Sequence, residues 1–194
     1  MRPLRPGSVL LALWLFWIIS WLIAALWANR TERRPPVRVE AGYRAIQLVG
    51  ALLLFLPPRL LGAHRLWFIG RIGAWPCVAL VAIGMAIAWW ARIHLGRLWS
   101  GHITRKVDHK IVDSGPYGIV RHPIYTGLLL GLVATAVLEG TAAALVGFLL
   151  FALGFYLKAR IEERWLSQEL GADAYADYQR RVPMLVPVGW GQRR

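Results

Sequence analysis

Three stretches of the 194-residue chain carry side chains able to bind or activate a small polar molecule. Asp108 to Gly118 is a polar run that closes with Gly115-Pro116-Tyr117-Gly118, and Ile119 to Gly127 holds Arg121-His122-Pro123-Ile124-Tyr125. Lys158 to Leu166 supplies Lys158, Arg160 and the adjacent carboxylates Glu162 and Glu163. A carboxylate such as Glu162 can pair with an amine or accept from a sugar hydroxyl. Backbone N–H groups of a tight loop, and an imidazole such as His122, can take a carboxylate or a ring nitrogen. The faces of Tyr117 and Tyr125 can stabilise a nearby cation. Where an acceptor carries a proton, His122 or Glu162 is the candidate base.

These groups need elements that hold them together. Gly-Pro, Tyr-Gly and His-Pro steps in close succession describe a tightly turned loop, with Pro123 suited to the first position of a helix. Glu162 lies five residues past Leu157, the end of a long apolar run. On a continuing helix that is about 7 Å along the axis, level with Arg121 and His122 if the two helices pack. Gly127 and Gly131 form a Gly-x-x-x-Gly pair that permits such close approach.

The scaffold is a membrane one. The chain is 57% hydrophobic and only 17% charged, where soluble domains run about 25% charged. Ser8 to Ala28 is free of charge and about as long as a bilayer-crossing helix, and it reads as a retained first span. A shorter apolar stretch, Ala45 to Leu56, stops at Pro57-Pro58, and a third runs from Ile72 to Ala91. Ile124 to Leu157 is broken once, at Glu139-Gly140, which predicts a helical hairpin. The expectation is a single all-α membrane domain over 1–194 with about five spans, three in 1–91 and a catalytic half in 92–194. Thr31 to Arg44 reads as a polar linker.

Net charge is +13, which invites a nucleic-acid partner until its placement is considered. Residues 29–44, 92–123 and 158–194 hold 18 Lys and Arg, while the alternate segments hold 5. Five spans put those three segments on one side, and the positive-inside rule makes it the cytoplasm, with the N-terminus outside. The excess then belongs to topology and anionic headgroups, and no nucleic-acid partner is expected. The 11 Trp, mostly near span ends, read as interfacial anchors.

Gly115-Pro116-Tyr117-x-x-Val120-Arg121-His122-Pro123-x-Tyr125-x-Gly127, then Glu162-Glu163, then Leu170-Gly171-x-x-Ala174-Tyr175-x-x-Tyr178, resembles the isoprenylcysteine carboxyl methyltransferase family. The resemblance covers roughly residues 90–188. It implies an integral-membrane enzyme using S-adenosylmethionine, related to phospholipid methyltransferases. It also implies cofactor contacts at His109, Lys110, Ile111, Val112, Tyr117, His122, Pro123, Ile124, Tyr125 and Glu162. His102 stands where the family often has Gln. Arg121, His122 and Glu162 are the implied catalytic group, and Lys158 or Arg160 would hold the acceptor's carboxylate. The two consecutive Glu replace the longer acidic run of some relatives. The cofactor would be enclosed by 99–125 and 158–187, with a prenylated or lipid-like acceptor entering from the bilayer.

Each residue also has a plainer reading. Arg121 can be a snorkelling interfacial Arg, and Glu162 and Glu163 a solvated helix face with Glu162 paired to Lys158. Cys77 reads as a packing residue and His94 as interfacial, while Tyr175 and Tyr178 read as packing for cytoplasmic helices. His94, His102 and His109 lack acidic or Cys partners at ligand spacing, so no metal is expected. A transporter would need ionisable groups inside the spans, where only Glu139 falls, at a turn. The alternatives to a carboxyl methyltransferase are a phospholipid-amine or small-thiol methyltransferase, and a non-catalytic membrane adaptor of the same family.

Overall fold

The computed structural model describes residues 4–26, 31–33, 37–96, 99, 105–106, 111–170 and 172–188. Helices α1 (Pro6–Ala25), α2 (Val37–Phe55), α3 (Arg71–Leu95), α4 (Pro123–Glu139), α5 (Ala142–Leu170) and α6 (Ala172–Arg181) carry the fold. Strands β1 (Thr31–Arg33) and β2 (Arg105–Lys106) form one short antiparallel ladder, an addition to the all-helical expectation.

α1, α3 and α5 are long and apolar enough to cross a membrane, and α4 is a shorter apolar helix. α2 starts at Val37, inside the stretch expected to be a linker, and is less apolar than α1, α3 and α4. Its first half is held by Glu40, which is buried and accepts from Arg44 at 2.5 Å one turn on, and by buried Tyr43. An i,i+4 pair of this kind supports a helix that hydropathy alone misses.

The ends of the helices follow from local chemistry. α4 starts at Pro123 with His122 as its N-cap, as the sequence predicts. It stops at Gly140, whose φ of +64° is a left-handed conformation that glycine adopts without steric cost. Thr141 then caps α5, its hydroxyl oxygen accepting from the Ala144 N–H at 3.0 Å. α5 is unbroken for 29 residues, about 43 Å at the helical rise. That exceeds a hydrocarbon core of about 30 Å, and all the charged residues of α5 fall after Leu157.

Packing assigns the glycines differently from the sequence reading. α4 lies along α3, and α2 lies along α5. A Cβ on Gly84 of α3 would strike the Gly127 carbonyl of α4, and one on Gly127 would strike the Gly84 carbonyl. The Gly127/Gly131 pair therefore serves the approach of α4 to α3, not to α5. Between α2 and α5 the same role falls to Gly50 and Gly147, where added Cβ atoms would sit 2.8 and 2.7 Å from the opposing carbonyl oxygens. In a bilayer, where apolar surface gains little by leaving lipid, such backbone proximity is a main source of helix association.

Several Trp are packing residues and not interfacial anchors. Trp14 is buried and donates to the Thr135 hydroxyl at 3.1 Å, tying α1 to α4. Trp17 stacks on Trp21, which meets Trp89 and buried Trp99 edge-on, seating α1 on α3. Trp67, Trp75 and Trp90 remain partly exposed, and Trp27 and Trp190 lie outside the described residues. Cys77 is buried in the core, in keeping with its reading as a packing residue.

The connections segregate to two ends. The β1–β2 ladder places the α1–α2 connection beside the α3–α4 connection. An isolated bridge from Arg65 to Thr141 places the α2–α3 connection beside the α4–α5 turn. The candidate site lies at the first of these ends.

Candidate active site

Four elements converge on the start of α4. Gly115–Gly118 makes one tight 3₁₀ turn, in keeping with the expected turned loop, and Pro116 and Tyr117 are buried within it. Gly115 has φ +56°, and a Cβ there would lie 2.7 Å from the His94 ring, which bonds the Ser114 hydroxyl at 3.0 Å. α6 packs Tyr175, Tyr178 and Val182 against Ile111 and Leu166. The Tyr178 hydroxyl donates to the Tyr117 carbonyl at 2.8 Å and so pins the turn from the C-terminal side. Burial pushes the Tyr117, Tyr175 and Tyr178 phenols above their usual range, keeping them neutral.

The segment after α6 then straps the site. The Pro183 and Met184 carbonyls accept from the Arg121 and His122 backbone N–H groups at 2.8 and 3.1 Å. The Leu185 carbonyl accepts from the Thr126 hydroxyl at 2.6 Å. These bonds fix where the Arg121 and His122 side chains begin.

The two carboxylates of α5 divide the work. Glu163 is buried, with Arg121 Nε donating to Oε1 at 2.7 Å and a terminal guanidinium nitrogen to Oε2 at 3.1 Å. Its Oε1 also bonds His122 Nε2 at 3.0 Å, and Gln179 of α6 donates to Oε2 at 2.9 Å. Burial alone would raise the Glu163 carboxyl, but the bonds from His122 and Arg121 outweigh it and hold it down at about 2. The rest of the Arg121 guanidinium donates to the Gln179 carbonyl at 3.1 Å and to the Val182 carbonyl. Arg121 is thus committed to protein partners.

Glu162 faces the other way. The Tyr125 hydroxyl lies 2.8 and 2.7 Å from its two oxygens, His122 Nδ1 is 3.6 Å away, and Lys158 Nζ is 3.8 Å away. The rings of His122, Tyr125 and Phe155 stack in sequence, with centroids 5.3 and 4.9 Å apart. Lys158 Nζ stands over the Tyr125 ring at 5.2 Å. A carboxylate, an ammonium and stacked aromatic faces together can take a ligand with an amine, an anionic end and a flat ring.

The structure thus brings together Tyr117, Arg121, His122, Pro123, Tyr125, Lys158 and Glu162. Ile111 and Val112 pack beneath the loop, and Ile124 is in the core. Of the two basic candidates, Lys158 is at the site, whereas Arg160 is exposed, with its guanidinium 6.0 Å from the Tyr156 ring. His102, His109 and Lys110 lie outside the described residues. Glu163, which the sequence leaves open between the motif and a solvated helix face, is buried, and no motif marks Gln179 or the 183–185 strap. Helical spacing did carry a signal for Glu163: Phe155, Ala159 and Glu163 recur every four residues, and all three are buried.

Residues 77–168 match the isoprenylcysteine carboxyl methyltransferase family, a range that holds Arg121, His122, Tyr125 and both carboxylates. This chain belongs to the isoprenylcysteine carboxyl methyltransferase family. It is 33% identical over 138 residues to the cobalt-zinc-cadmium resistance protein CzcN of Cupriavidus metallidurans, covering 70% of this chain and 60% of that protein. It is 31% identical over 140 residues to protein-S-isoprenylcysteine O-methyltransferase B of Arabidopsis thaliana, covering 71% and 66%. With methanethiol S-methyltransferase 2 of Bradyrhizobium diazoefficiens it shares 46% identity over 82 residues, 40% of this chain and 29% of that one. The chain thus matches about two thirds or less of the length of these family relatives. α1, α2 and α6 lie outside the family match.

Proposed function

We propose that this chain is a membrane methyltransferase that uses S-adenosylmethionine and methylates an acceptor held in the bilayer, foremost the α-carboxylate of an isoprenylcysteine-type molecule. The observation that carries the reading is Glu162, a carboxylate held by Tyr125 and less buried than its neighbour Glu163, which is consumed by Arg121 and His122. Family membership gives that carboxylate its context.

The residues fit the cofactor. Glu162 would pair with its amine or accept from its ribose, and the stacked His122, Tyr125 and Phe155 would offer aromatic faces. When bound, S-adenosylmethionine would supply a methyl group on a sulfonium centre. Lys158 would hold the acceptor's carboxylate. An ionised carboxylate needs no base, so the protein's contribution is alignment, which can account for a large part of a barrier. Arg121 and Glu163 act as positioning residues, since they set the His122 ring without reaching the ligand themselves. His102, His109, Lys110 and Arg160 stay in the proposal on the family resemblance alone.

A small thiol is the second reading, favoured by the methanethiol S-methyltransferase relative. A thiol must lose its proton, and His122, flanked by both carboxylates, is the group placed to take it. Labelled methyl transfer to a farnesylcysteine analogue, a phosphatidylethanolamine and a small thiol, run in parallel, separates the acceptors. Turnover of the prenyl analogue supports the leading acceptor. Turnover of only one of the others removes it.

The proposal includes five crossings with the candidate site in the cytoplasm, supported by the 18 to 5 distribution of basic residues. In a Cys77→Ala background, His64→Cys should react with an impermeant thiol reagent in intact cells and Asp177→Cys only after permeabilisation. The reverse pattern overturns the orientation.

A further inference from the structure

At the end of the bundle opposite the candidate active site, the first turn of α1, the 65–71 segment and the last turn of α4 enclose a cleft of about 370 Å³. α4 connects the two places, on the order of 25 Å apart at the helical rise. Arg5, Arg65 and Arg71 line the cleft with one carboxylate, Glu139. Arg65 and Glu139 are 3.9 Å apart, the outer edge of an ion pair, and both are partly exposed. Arg71 donates to the Leu4 carbonyl at 3.0 Å, which occupies one of its five donors. The cleft therefore has an excess of two positive charges.

The backbone around it does not cancel that excess. The carbonyl end of α4 is already capped, with Trp67 Nε1 donating to the Val137 carbonyl at 2.9 Å and the Leu66 N–H to the Gly140 carbonyl at 2.7 Å. α1 and α3 both begin at the cleft with no acidic residue in the first turn and no side-chain cap, so their partial positive ends add to the guanidiniums. The rim at Phe68 is apolar: this lining residue is 78% exposed, and Ile72, the residue after Arg71, is 89% exposed. A free anion has no use for such a rim, whereas a lipid has both a phosphate and chains.

We propose that this cleft binds the phosphate of an anionic phospholipid, with Arg65 and Arg71 supplying charge-assisted hydrogen bonds and Phe68 and Ile72 the edge that meets its acyl chains. The site is separate from the methyl-transfer reading and stands or falls without it. It gives these basic residues a specific ligand beyond general attraction to headgroups.

The test uses the purified full chain in phosphatidylcholine nanodiscs, with and without phosphatidylglycerol, and inorganic phosphate at matched ionic strength as a third arm. Phosphatidylglycerol should raise Tm and remain bound in native mass spectrometry, with phosphate giving no shift. Arg65→Gln and Arg71→Gln should each weaken lipid retention about fivefold. Glu139→Gln should strengthen it, a gain that misfolding does not produce. Equal retention in wild type and all three variants overturns the proposal, and so does a full Tm shift from inorganic phosphate alone.

Discussion

Arg121 and Glu163 form a two-pronged ion pair across the α4–α5 interface, with N···O distances of 2.7 and 3.1 Å. The pair closes a junction in which the start of α4, the charged C-terminal part of α5 and the end of α6 meet. Because Arg121 also donates to the Gln179 and Val182 carbonyls, one guanidinium ties all three together.

Breaking that junction from one side leaves a buried charge without its partner, which costs about 3 kcal/mol. Arg121→Ala and Glu163→Ala should each lower the unfolding free energy by roughly that amount, and the double variant by far less than their sum. A double-mutant cycle on detergent-solubilised protein measures it. Strict additivity would contradict the account.

The same carboxyl sets a pH response. Glu163 is held at about 2 in the folded chain against an ordinary value of 4.5. A depressed carboxyl contributes its stability above the unfolded value and loses it as pH falls towards the folded one. Tm should therefore drop between about pH 4.5 and pH 2 in the wild type, and the Glu163→Gln variant should show a flatter profile over that window. Parallel profiles would assign the acid loss to other groups.

The long spans were legible because apolar runs without charge have few alternatives: Ser8 to Ala28 became α1, Ile72 to Ala91 became the body of α3, and the Glu139-Gly140 break became the hairpin turn. What hydropathy could not show was the polar half of α2, since Glu40 and Arg44 satisfy each other and Tyr43 is buried against another helix. Nor could it show which helix the Gly127/Gly131 face meets, because a glycine pair announces close approach without naming a partner. At the site, the motif singles out Arg121, His122, Tyr125 and Glu162, and the structure brings the four together. Residue type does not separate Glu162 from Glu163, because adjacent carboxylates on a helix point about 100° apart and only the packed structure shows which one turns inward.

The glycine contacts separate sharply by position. Gly84→Ala and Gly127→Ala each drive a methyl into the opposing backbone and should lower Tm severely or prevent folding. Gly131→Ala meets the Trp14 ring at 3.5 Å and Val81 Cα at 3.8 Å, ordinary contacts, and should stay within about 1 kcal/mol of wild type. Thermal unfolding of the three variants in one detergent makes the comparison, and similar losses in all three would refute the assigned interface.

Tyr125→Phe removes the hydroxyl that holds Glu162 while keeping the stacked ring. A hydrogen bond to a charged group contributes about 1.5–3 kcal/mol, so affinity for S-adenosylmethionine should fall about tenfold or more with the fold intact. Calorimetric titration checks it, with circular dichroism confirming helical content. Unchanged affinity would detach Tyr125 from the site.

The central claim is that Glu162 belongs to a cofactor site on a methyltransferase. Its most direct test is binding of S-adenosylmethionine to the purified chain, wild type beside Glu162→Ala, by isothermal titration. Saturable binding in the wild type, lost or weakened at least tenfold in a variant of unchanged helical content, is the predicted result. Absence of binding to a folded wild-type chain, or equal binding by both proteins, would contradict it.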